Sequence, residues 1–88
     1  MPTISMFYGI IIRMFYAPDE HNPPHFHASY QGLDAIVDLR TCEIIKSNLS
    51  KKHNKLIEAW AELHHDELVA NWELVMNGET PQHIDGLK

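Results

Sequence analysis

Residues 25–38 read His25-Phe26-His27-Ala28-Ser29-Tyr30-Gln31-Gly32-Leu33-Asp34-Ala35-Ile36-Val37-Asp38, and the fold depends on how this stretch turns back on itself. Gln31-Gly32 is its turn signal, and a two-residue loop there pairs Tyr30 with Leu33. Counting outward pairs Ala28 with Ala35 and Phe26 with Val37, so the apolar pairs share one face. The opposite face pairs Ser29 with Asp34, His27 with Ile36 and His25 with Asp38. Side chains alternate with period two, so a slip of one residue would turn the apolar set to the wrong side. The stretch predicts an antiparallel hairpin with one buried face.

On the N-terminal side, residues 3–16 are rich in β-branched and aromatic types. Ile10 to Tyr16 is apolar on both faces except for Arg13, which suits a covered strand. Pro18 stops it, having no backbone donor for a ladder. On the C-terminal side, the Arg40-Thr41 corner leads to a third short strand, Cys42 to Lys46. Ser50 is a candidate N-cap for a helix whose stripe is Leu56, Trp60 and Leu63. The phase then slips, with Leu68 five residues on, followed by Trp72, Val75 and Met76. Such a slip means a bend, or two helices joined near His64-His65-Asp66 with Asp66 capping the second. Asn77-Gly78 closes the helix, and the tail brings Ile84 and Leu87 back to pack. The expected fold is α+β and a single domain over residues 1–88. It has a small antiparallel sheet of three to four strands, with a C-terminal kinked helix or helical pair packed on one face. Leu56, Trp60, Leu63, Leu68 and Trp72 are expected to meet Phe26, Ala28, Tyr30, Ala35 and Val37.

With 88 residues, the chain has room for one core. A domain of this size buries only about 60–65% of its unfolded surface, so a partner or self-association would help it. The formal charge of −5 argues against broad binding to phosphate backbones. The basic residues are uneven, however. Lys46, Lys51, Lys52 and Lys55 fall within ten positions, while Glu58 to Asp85 holds seven acids and no Lys or Arg. Cys42 is the single cysteine, which points to a packed thiol and a reducing compartment. No basic leader precedes Ile10-Ile11-Ile12 and no apolar run reaches transmembrane length, so a cytoplasmic location away from membranes is expected.

The chemistry concentrates in Glu20-His21-Asn22-Pro23-Pro24-His25-Phe26-His27. His25 and His27 share a strand face about 7 Å apart at the backbone, and the two prolines hold the lead-in extended. Two imidazoles at that spacing can grip one cation, with Glu20 and His21 as further candidate ligands. Zn²⁺, Ni²⁺, Fe²⁺ or Mn²⁺ suits such a set. Glu20, His25 and His27 are equally candidates for acid–base catalysis. Asp38, opposite His25, is placed to accept a ring N–H and fix the tautomer. The alternative is that these histidines are hydrogen-bonded interface residues. Arg13, Lys51, Lys52 and Lys55 are candidate contacts for a partner or an anion, and the lysines at the helix entry are the one route to DNA. No nucleophile elbow or phosphate-binding glycine loop occurs.

Several segments recur together: Met1-Pro2-Thr3-Ile4-Ser5, Gly9-Ile10, Met14, the block Glu20 to Ala28, Trp60, Leu63-His64, Glu67-Leu68 and Asn71-Trp72. In these the chain resembles the small bacterial domain-of-unknown-function family 4160 over nearly its whole length. Ile84 and Leu87 resemble that family's closing motif, although Asp85-Gly86 replaces its usual proline-containing ending. The resemblance implies no established activity and transfers no catalytic residue. It implies a second small protein as neighbour, in toxin–antitoxin-like pairs. Two function classes follow. One is an interaction module that binds such a partner or a second copy of itself, and the other is a divalent-metal-dependent hydrolase or nuclease using the Glu/His cluster.

Overall fold

The computed structural model describes residues 2–16 and 23–88. Five strands follow in chain order: β1 (Thr3–Phe7), β2 (Ile10–Arg13), β3 (His25–Tyr30), β4 (Leu33–Asp38) and β5 (Ile44–Ser47). Each is antiparallel to the next, in the sheet order β1-β2-β3-β4-β5. Helices α1 (Lys51–Leu63) and α2 (His65–Met76) complete an α+β fold.

The expected hairpin forms in the expected register, from His25↔Asp38 through Tyr30↔Leu33. The sheet has five strands, however, not three or four. The difference lies in residues 3–13, which reverse between Phe7 and Ile10. Tyr8 and Gly9 both take positive φ, 51° and 80°, the pattern of the primed two-residue hairpin turn. A tyrosine at the first of these positions conceals the turn that Asn-Gly would have signalled. The last strand also starts later than expected. Cys42 sits at φ 61° in a tight corner, its N–H donating to the Asp38 carbonyl at 2.8 Å, and β5 begins only at Ile44.

Ser50 caps α1, its hydroxyl accepting from the His53 N–H at 3.2 Å. The phase slip resolves as two helices, with His64 ending α1 and preceding α2. Asp66 therefore lies inside the first turn of α2 and does not cap it; its charge there still suits the helix dipole. Leu63 departs from the expected core and is 72% exposed. The buried arc of α1 runs through Ile57, Trp60 and Ala61, and at about 100° per residue Leu63 falls off its edge. Helix α2 closes with a left-handed Gly78, whose N–H donates to Val75 while that of Glu79 donates to Leu74.

The core lies between one sheet face and the helices. Phe26, Ala28, Ala35 and Val37 are fully buried with Ile4, Ile10, Ile12, Trp60, Leu68 and Val75. Tyr30 is only partly buried at its margin. Trp60 stands at the centre, its ring 5.2 Å from Phe7 and 5.7 Å from Phe26 between centroids. Its indole N–H donates to the Asp85 carbonyl at 2.8 Å, so the tail is tied into the core. Asn71, 2% exposed, acts as a surrogate strand: its amide both donates to and accepts from the Gln82 backbone at 2.8 Å. Ile84 N–H then donates to Ile4, and Gly86 comes so close to β1 that a Cβ would stand 2.8 Å from the Met6 carbonyl. The tail thereby covers the β1 edge of the sheet.

Candidate functional site

The Pro-Pro lead-in feeds β3 directly, and the Pro24 carbonyl extends the ladder by accepting from Leu39 N–H at 2.9 Å. His25 Nδ1 donates to the Pro23 carbonyl at 2.7 Å. A carbonyl only accepts, so Nδ1 carries the proton in this bond. The His25 and His27 rings lie on the same side of β3, 5.2 Å apart. They continue a four-ring chain: Phe15 packs edge-on against His27 at 4.3 Å, and Trp72 packs against His25 at 5.3 Å. This chain joins the segment after β2 to α2 across the strand.

Asp38 stands opposite His25 as expected, but Arg40 engages both its oxygens. The guanidinium donates through Nε at 3.2 Å and Nη2 at 2.8 Å, and the Arg40 backbone N–H adds a bond of 2.7 Å. These hydrogen bonds hold the Asp38 carboxyl below its ordinary value, against the opposing effect of burial. The Pro23 carbonyl takes the tautomer-fixing position that the sequence suggested for Asp38. Next to this pair, a cavity of about 320 Å³ opens between the ends of β3 and β4 and helix α2. Pro24, Leu39, Val69 and Trp72 give it apolar walls, with Arg40, His65 and Glu73 as polar lining.

The sequence matches the domain of unknown function DUF4160 over residues 9–73. The chain belongs to that family. No curated protein and no solved structure matches it. In this DUF4160 chain the match runs from the β1–β2 turn to α2 and includes His25, His27 and Trp72.

Of the candidate ligands, Glu20 and His21 lie outside the described residues. His64 bonds to Glu67 through Nδ1 at 2.6 Å, and His65 donates from Nε2 to the Leu39 carbonyl at 2.8 Å. Among the described residues, no group of three or more His, Cys, Asp or Glu converges in a way that would hold a metal. Arg13 joins the histidine region, pairing across strands with His27. Lys51, Lys52 and Lys55 are exposed on α1. Burial pushes the Cys42 thiol above its ordinary value, reinforced by Glu62 and Asp38, as befits a packed side chain. No described helix is long and apolar enough to cross a membrane.

Sequence reading missed the parts played by Phe15, Arg40 and Trp72. Trp72 read simply as core, and nothing in the spacing linked it to His25. Arg40 had a detectable signal, since an acid two residues before an arginine at a strand end invites a bidentate pair.

Proposed function

We propose that this DUF4160 domain is a protein–protein interaction module, one component of a two-protein, toxin–antitoxin-like pair, and that the sheet face bearing His27 is its docking surface. One observation carries the reading. The face opposite Phe26 and Val37 carries the cross-strand row Arg13–His27–Ile36–Lys46 beside the row Met6–Ile11–Ser29–Asp34. All eight side chains are half-buried or exposed, Met6 to 60%. Half-buried or exposed apolar groups, Met6, Ile11 and Ile36, set among charges of both signs, Arg13, Lys46 and Asp34, suit an interface. The small core of so short a chain adds a thermodynamic reason to bind a partner.

Co-expression with the neighbouring small protein, followed by affinity purification, tests this. A stoichiometric complex that Met6→Asp and Arg13→Glu disrupt, with unchanged thermal stability, supports the reading. A complex that tolerates both substitutions, or no complex at all, contradicts it.

A second reading, a divalent-metal-dependent hydrolase or nuclease, draws on the paired His25 and His27 rings, 5.2 Å apart on one side of β3. Metal analysis of untagged protein distinguishes the two. Stoichiometric zinc lost in a His25→Ala, His27→Ala double variant favours the enzyme.

A further inference from the structure

The first turn of the sheet is built at a cost that its backbone does not require. Tyr8 is a bulky residue at φ 51°, where such side chains are outliers and Asn would be relaxed. The residue is nonetheless 56% exposed, so burial does not compensate for the strain. Strain kept at an exposed aromatic directs attention to what the ring faces.

Tyr8 lines a cavity of about 370 Å³ together with Tyr30, Lys52, His53 and Leu56. Tyr30 and His53 are stacked at 4.2 Å with their planes 30° apart. The arrangement is fixed from both sides. Tyr30 lies against Gly9, where an added Cβ would come within 3.0 Å of its ring. His53 Nδ1 shares a 2.6 Å hydrogen bond with the Ser50 hydroxyl. Three π-faced side chains and a lysine therefore converge on one cleft. No carboxylate lines it, whereas each of the four other cavities described has at least one acidic residue in its lining. In a chain of net charge −5, with Lys51 and Lys55 next to Lys52 on the same helix, that local sign steers anions to this corner.

We propose that this cleft binds a nucleotide unit: a nucleobase stacked on the aromatic side chains, with its phosphate near Lys52. Stacking accepts any base, and the lysine supplies a salt-dependent contact, the pairing that single-strand binders use. The same chemistry is offered by a free nucleotide and by one residue of a single strand.

The test is fluorescence anisotropy of a short labelled oligothymidylate with the full chain at low salt, with free thymidine monophosphate as competitor. The oligomer binds and is released by added salt. Tyr8→Asn weakens it about tenfold although the melting temperature does not fall, because Asn suits the turn better. Lys52→Glu removes binding. Competition by the monophosphate identifies the free nucleotide as sufficient, and its failure to compete identifies the strand as the ligand. Absence of any binding at low salt overturns the proposal, as does binding that neither substitution changes.

Discussion

Two corners of the molecule present an imidazole in nearly the same way. At the start of β3, His25 is tethered through Nδ1 to the Pro23 carbonyl at 2.7 Å and packs against Trp72. At the start of α1, His53 is tethered through Nδ1 to the Ser50 hydroxyl at 2.6 Å and packs against Tyr30. The surroundings differ. The His25 corner has Asp38, Arg40 and Glu73 around an apolar cavity, whereas the His53 corner has Lys52 and no carboxylate in its lining. A fixed ring orientation is thus common to both, and the neighbouring charges distinguish the two corners.

The largest expected effect separates the corners structurally. Trp72→Ala removes a buried indole and should destabilise the fold by about 3 kcal/mol, measured by denaturant unfolding. It should also release the His25 ring while leaving the Tyr30–His53 contact intact, visible as ring-current shift changes confined to the first corner. Equal perturbation of His53 would mean that the corners are coupled through the core. Ser50→Ala acts on the other side, costing about 1 kcal/mol through loss of the N-cap. Only His53 should gain mobility, and a shift at His25 would contradict the separation.

The smallest effect is one of pH. The Asp38 carboxyl, held below its unfolded value near 3.8, contributes stability that is fully present above that value and is lost as pH falls through the folded one. Unfolding measured from neutral pH into the acid range should show this loss at the His25 corner. Asp38→Asn should flatten it, and an unchanged acid slope in that variant would remove the pair from the account.

Much of this arrangement was legible before any coordinates. The alternation of Phe26, Ala28, Ala35 and Val37 admits one register, and it brings His25 and His27 out together. Ser50 and Gly78 signalled the helix ends through residue chemistry alone. The illegible parts have a common cause, in that they depend on contacts distant in sequence or on side chains atypical for their backbone. Tyr8 conceals a turn, and Cys42 occupies a left-handed corner. Leu63 follows helical spacing but leaves the buried arc. Arg40 takes the oxygens that Asp38 offered to His25. Neither cleft could be assembled from spacing, because Trp72 and His25, like Tyr30 and His53, meet only through the packing of helix on sheet.

The most direct measurement is imidazole-detected nitrogen–proton NMR of the full chain during titration with the same oligothymidylate. We expect His25 in the Nδ1-protonated tautomer and unmoved throughout, with His53 shifting as the ligand saturates. Shifts at His25 and His27 in step with His53, or an Nε2-protonated His25, would contradict the division of the molecule into two differently charged imidazole corners.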